Sequence, residues 1–161
     1  MLMAAAGGML PRRAPAGKAA AVGQPAPDFA LRDTAGQLHE LGVVVRSSRL
    51  LVLNFWATWC GPCIRELPEF EQVFRQLRTQ GVAMLGINAQ EPESKVLPFV
   101  RELGLSFPML LDPSGAVQTA YGAGPGLPLT VLVDSHGLVR QRLQGATTGG
   151  ALLGRVRGLL A

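Results

Sequence analysis

Residues 50–63 read Leu-Leu-Val-Leu-Asn-Phe-Trp-Ala-Thr-Trp-Cys-Gly-Pro-Cys, and few folds can accommodate such a run. Leu50 to Trp56 is continuously apolar apart from Asn54 and has the length of a strand buried on both faces. Beyond Cys63 the period changes. Ile64, Leu67, Phe70, Val73, Phe74 and Leu77 recur at three- and four-residue spacing, which predicts one amphipathic helix over 61–80. Pro68 is expected to bend it and Gly81 to end it. A strand that feeds directly into a helix puts Cys60 at the helix N-terminus, where unpaired amides and the helix dipole favour a thiolate. These are the chain's 2 cysteines, so its sulfur redox chemistry lies in one turn. A loop this short is a poor structural staple, because closing it removes little unfolded-chain entropy.

The remaining punctuation is regular. Asp28–Arg32 and Gln37–Leu41 flank Asp33-Thr34-Ala35-Gly36 and read as a β-hairpin. Val82–Asn88 reads as a second buried strand. A helix then starts near 91–94 and stops at Gly104. Met109–Leu111 is a short strand, followed by a turn at 112–115 and a short helix ending near Tyr121. Leu129–Asp134 and Leu138–Leu143 flank Ser135-His136-Gly137 as an antiparallel hairpin, and Thr147 or Thr148 can cap a last helix to Leu160. The order β-hairpin, β, α, β, α, β, α, β, β, α predicts an α/β fold with a mixed central sheet flanked by helices.

Composition narrows the function classes. The 161 residues suit one domain. A net charge of +4 is spread along the chain without a basic run interleaved with aromatics, so nucleic-acid binding has no support. No second cysteine pair completes a four-ligand zinc site, and His39 and His136 read as solvated loop histidines, so no metal site is expected. Residues 1–22 are set apart from a domain over 23–161. Met1–Leu10 is apolar but half the length of a bilayer span, and Arg12 and Arg13 follow the apolar run where an export signal would have them precede it. The segment reads either as an Ala/Gly/Pro-rich tail or as the remnant of an export signal or anchor that begins upstream of Met1.

The motif Trp56-Ala57-Thr58-Trp59-Cys60-Gly61-Pro62-Cys63, with Leu127-Pro128 far downstream, resembles the thioredoxin superfamily. Gly23-Gln24-Pro25-Ala26-Pro27-Asp28-Phe29, Phe107-Pro108, Asp112 and Val133-Asp134-Ser135-His136-Gly137 bring it nearest to the TlpA/ResA-like thiol-disulfide oxidoreductases. The resemblance implies a thioredoxin fold in which residues 91–121 supply a TlpA-type α/β insertion. It makes Cys60 the attacking thiol and Cys63 the resolving one, and matches Pro128 to the family's cis-proline. Trp59, Gly61, Pro62, Leu127 and Pro128 then border the docking surface for substrate. Leu129 departs from the threonine that usually follows this proline, which bears on substrate preference. Asn54 stands where thioredoxins proper carry a buried aspartate. The matching carboxylate of the TlpA/ResA-like branch falls on Glu91, which, partly buried near two sulfurs, would have a raised pKa and shuttle protons.

The implied activity is reduction of disulfides in partner proteins through a Cys60–Cys63 dithiol/disulfide cycle, as in cytochrome c or copper-centre maturation. It would need no cofactor beyond that pair. Partners would be protein thiols and disulfides and an upstream membrane thiol-disulfide electron donor, with the protein a monomer in an extracytoplasmic setting, or cytoplasmic if Met1 is the true start. Two rivals stand beside it. A peroxiredoxin-like peroxidase would need Thr or Ser three residues before its cysteine, where this chain has Ala57. A Cu(I)-handling chaperone would use both thiols but lacks a nearby His or Met ligand.

Overall fold

The computed structural model describes residues 20–124 and 126–161; the apolar stretch at Met1–Leu10 and the rest of the segment to 19 lie outside the described residues. A two-stranded hairpin, β1 (Ala30–Arg32) and β2 (Leu38–Glu40), leads into a short helix α1 (Leu41–Arg46). There follow β3 (Leu50–Trp56), α2 (Gly61–Leu77), β4 (Val82–Ala89), α3 (Glu93–Glu102), β5 (Met109–Asp112), α4 (Ala116–Ala120), β6 (Leu129–Asp134), β7 (Val139–Gln144) and α5 (Gly149–Leu160). The last five strands form one sheet in the order β5-β4-β3-β6-β7. β3 pairs parallel with β4 and antiparallel with β6. The sheet is therefore mixed, as the element order predicts.

Alternation along β3 sorts its side chains into two layers. Leu50, Val52 and Trp56 pack with α2, α3 and α5 through Leu67, Phe70, Val100 and Leu152. Leu51, Leu53 and Phe55 pack with the hairpin, α1 and α4 through Phe29, Val45, Val117 and Tyr121. Every residue of β3 is buried, as expected of a strand covered on both faces. Asn54 belongs to the first layer by position and is the polar exception in it.

Four details differ from the sequence reading. Residues 41–46 form a helix that the hairpin assignment left out; its Val43-Val44-Val45 run disfavours helix intrinsically, and burial of Leu41 and Val45 overrides that preference. His39 is not a solvated loop residue: it lies on β2 with its Nε2 2.8 Å from Asp33 Oδ2. His136, by contrast, is exposed in the β6–β7 turn. Packing also begins before residue 23, since Ala20 is buried and its carbonyl accepts from Arg142 at 2.9 Å. The helix expected over 61–80 is α-helical only to Leu77, and a 3-10 turn (Arg78–Gln80) completes it before Gly81, at φ 83, ends the unit in the left-handed region as expected.

Candidate active site

β3 ends at Trp56, and the loop 57–60 delivers Cys60 to the N-cap of α2. Cys60 has an extended backbone, so its side chain folds back over the first helical turn. Its Sγ accepts from the Cys63 N–H at 3.3 Å. Pro62 occupies the first turn, where the missing N–H costs nothing, and Gly61 beside it is exposed. Cys60 and Cys63 are joined as a disulfide with a Cα–Cα distance of 5.3 Å. Cys60 keeps 4% of its surface and Cys63 none, so any attack from outside must come at Cys60. Trp56 is fully buried, whereas Trp59, the residue before Cys60, is 65% exposed.

The peptide bond Leu127-Pro128 is cis. Leu129 pairs with Phe55, so Pro128 lies at the end of the sheet that carries the cysteine loop. Leu127 is half-buried and Pro128 buried. The structure thus gathers Cys60, Cys63, Trp59, Gly61, Pro62, Leu127 and Pro128 at one end of β3 and β6.

Glu91 comes to the same end, in a state opposite to the one expected. Gln90, at φ 57, turns the chain after β4 and folds Glu91 back under the loop. One carboxylate oxygen of Glu91 accepts from the Thr58 amide at 2.7 Å and from Asn88 Nδ2 at 2.9 Å. The other accepts from Thr58 Oγ1 at 2.5 Å and lies 3.0 Å from Lys95 Nζ. Burial alone would raise its pKa, but the bonds from Thr58, Asn88 and Lys95 outweigh burial and hold it below the usual carboxylate range. The expectation of a raised pKa at Glu91 is therefore corrected. Both oxygens are occupied by donors, an arrangement that supports the charged form.

A carboxylate with the expected property stands elsewhere. Glu66 lies on α2 three residues after Cys63, on the same helix face, and is 3% exposed. One oxygen accepts from Asn54 Nδ2 at 2.8 Å and the other from the Thr147 amide at 3.0 Å. Burial raises its pKa, the two donors only partly oppose that, and the nearby Glu69 carboxylate adds to the rise. Sequence reasoning missed it. The signal was a glutamate between Cys63 and Phe70 on the stripe that the helix period assigns to the interior. Among the described residues no group of three or more His, Cys, Asp or Glu is arranged to hold a metal ion.

Comparison with known proteins agrees with this arrangement. Residues 22–142 match the model of the AhpC/TSA family. The chain belongs to that family. Within it, the chain is 42% identical over 130 residues to the thiol-disulfide oxidoreductase ResA of Geobacillus thermodenitrificans, covering 81% of this chain and 73% of that one. A DsbE-type thiol:disulfide interchange protein of Chlorobium tepidum superposes with a TM-score of 0.80 at 28% identity, over 88% of this chain and 99% of the other. A secreted disulfide oxidoreductase of Mycobacterium tuberculosis, described as homologous to E. coli DsbE, gives 0.71 at 26% identity, over 81% and 95%. The protein is a ResA-like thiol-disulfide oxidoreductase of thioredoxin fold, acting on protein thiols and disulfides.

Proposed function

We propose that this oxidoreductase works as a reductant of partner proteins, by a cycle that Cys60 opens and Cys63 closes. The observation that carries the reading is the asymmetry of the pair: Cys60 caps a helix N-terminus and keeps a trace of exposure, while Cys63 has none. In the dithiol form the Cys60 thiolate attacks one sulfur of a partner disulfide, forming a mixed disulfide and expelling the other partner sulfur as thiolate. Cys63 then loses its proton to the Glu66 carboxylate, whose burial raises its proton affinity toward that of a working base. The Cys63 thiolate attacks Cys60 Sγ, the bond from Cys60 to the partner breaks, and the second partner sulfur leaves as thiolate to be protonated from solvent. Two electrons have passed to the partner, and the Cys60–Cys63 disulfide remains.

Trp59, Gly61, Leu127 and Pro128 border the surface on which the partner backbone docks. Glu91 keeps loop 57–60 in place through Thr58. The cycle uses no cofactor beyond the cysteine pair, and an upstream thiol-disulfide donor regenerates the dithiol. The ResA and DsbE names of its relatives favour an extracytoplasmic setting and clients in cytochrome c assembly; copper-centre assembly proteins as further clients and a monomeric state belong to the same proposal. The deciding experiment is trapping. A Cys63→Ser variant is expected to stall as a mixed disulfide on Cys60, identifiable by mass spectrometry after non-reducing electrophoresis. A variant whose Cys60 stays free in the presence of disulfide-bearing clients refutes the assigned order of attack.

A further inference from the structure

Asn54 makes a contact pattern that the disulfide form leaves incomplete. Its side chain lies in the layer between β3 and α2, fully buried, directly across the β3–β6 register from Thr130. The two Nδ2 protons are both engaged, one with Glu66 Oε1 at 2.8 Å and one with Thr130 Oγ1 at 3.2 Å. These bonds fix the amide plane. Asn54 Oδ1, in contrast, is buried without any donor. A buried acceptor without a donor is costly and calls for a reason. Trp56 Nε1 and Asn88 Oδ1 are also unpartnered, a donor and an acceptor on residues that pair in register across β3 and β4. Of the three, Asn54 Oδ1 belongs to a side chain bonded directly to α2, on the face that carries Cys63.

The missing donor is one that the disulfide removes. Cys63 is fully buried and lies on the α2 face that also carries Glu66, to which the Asn54 amide is bonded. Side chains three apart on a helix have Cβ atoms about 5–6 Å apart, so the thiol sits beside the amide's own partner. In the disulfide Cys63 has no hydrogen to give. In the dithiol it gains an S–H, a weak but real donor. We propose that Asn54 is a positioning residue whose Oδ1 accepts the Cys63 S–H of the reduced protein and loses that donor when the disulfide forms. The inference rests on Cys63 being the buried thiol of the exchange cycle.

The consequence has a definite sign. The oxidised form carries an orphaned acceptor and the reduced form does not, so Asn54 favours the dithiol and makes the protein a weaker reductant than its fold alone would. Asn54→Leu removes the acceptor from both states. Oxidation by glutathione disulfide should then be about fivefold more favourable, taking the low end of what an orphaned buried acceptor implies because S–H is a weak donor. At about 30 mV per decade for a two-electron couple, that is a potential about 20 mV more negative.

The test is a glutathione redox titration of wild type, Asn54→Leu, Glu66→Gln and the double variant. The fivefold difference should persist between Glu66→Gln and the double variant; a difference that disappears in that background acts through the carboxylate and overturns the inference, as does an unchanged potential in Asn54→Leu. Should the substitution fail to fold, the wild-type protein decides. Its Asn54 side-chain carbonyl carbon should shift downfield on reduction in carbon-detected NMR, and an identical shift in both redox states overturns the proposal. Failure of the Cys63 assignment is read separately, from the absence of a trapped mixed disulfide in Cys63→Ser.

Discussion

Replacing Glu91 by Gln separates a strut from a proton shuttle. The Glu91 carboxylate receives four donors: the Thr58 amide and hydroxyl, Asn88 Nδ2 and Lys95 Nζ. A glutamine side chain offers one acceptor oxygen and turns an NH2 toward the remaining donors. With its oxygen toward the Thr58 amide and Asn88 Nδ2, the NH2 meets the Thr58 hydroxyl, which can rotate and accept, and the Lys95 ammonium, which loses its partner; what the substitution removes is the charge that strengthens these bonds. Hydrogen bonds to a charged group contribute about 1.5–3 kcal/mol each, and exposed Lys95 adds little after solvent screening. The net loss of about 2–3 kcal/mol should lower the melting temperature by roughly 4–12 °C for a domain of this size.

The same carboxylate gives the loss a pH dependence. Its folded pKa lies below its unfolded one, so its contribution is fully present above the unfolded value and is lost as pH falls through the folded value. Urea unfolding of the oxidised proteins should therefore show the full gap at pH 7. The two curves should converge in strong acid, where the wild-type carboxylate is also protonated. Thiol titration of the reduced proteins by alkylation rate should leave the Cys60 and Cys63 profiles in place once loop stability is matched by temperature. A Glu91→Gln variant with wild-type stability and displaced thiol titration would refute the strut and restore Glu91 as the proton carrier.

Two further outcomes follow from the same layer of the fold. Glu66→Gln should slow resolution of the mixed disulfide at neutral pH by roughly 10²-fold or more, the usual range for loss of a positioned base. The deficit should shrink as pH rises and Cys63 ionises unaided; stopped-flow release of a chromophoric thiol measures it, and a pH-independent deficit would count against the base role. Gly86→Ala tests the packing beneath the site, since a Cβ at Gly86 would collide with Met109 Sδ and lie 3.3 Å from Trp56 Nε1. Overpacking of that kind costs about 1–3 kcal/mol in denaturant unfolding, and an unperturbed midpoint would show that Met109 can move aside freely.

Much of the fold was legible because its signals are local and agree with one another. The apolar run at 50–56, the switch to helical period after Cys63 and the terminal hairpin each have one reading, and together they leave one architecture. The helix at 41–46 was not legible, because a Leu-Gly-Val-Val-Val run carries no helical signal and its helicity comes from burial of Leu41 and Val45 against the sheet. In the site, the cysteines and Pro128 were read from the motif. The direction of Glu91's pKa shift was misread and Glu66 was passed over, because a glutamate's proton affinity depends on what surrounds it in space. Glu91's donors come from residues 58, 88 and 95, and Glu66's from residues 54 and 147, partners that no sequence window holds together.

The contrast between these two glutamates explains how one loop can be both held and reactive. Thiol-disulfide exchange needs the three sulfurs of the mixed disulfide brought into line, so the Cys60 loop must keep its shape while a partner is attached. A carboxylate can do that only if it remains charged through the cycle, and Glu91, with four donors including an ammonium, is arranged to stay so. Proton handling requires the opposite, a carboxylate whose charged form is poorly supported. Glu66 has two donors, burial in an apolar layer and a second carboxylate nearby. Exchanging the environments would abolish both tasks: a carboxylate beside Cys63 whose charge four donors support would take up no proton, and a protonated group beneath Thr58 would lose the charge that anchors the loop. The separation of duties follows from which backbone and side-chain donors each oxygen meets, and the fold sets those by placing one glutamate beneath the loop and the other inside the helix–sheet layer.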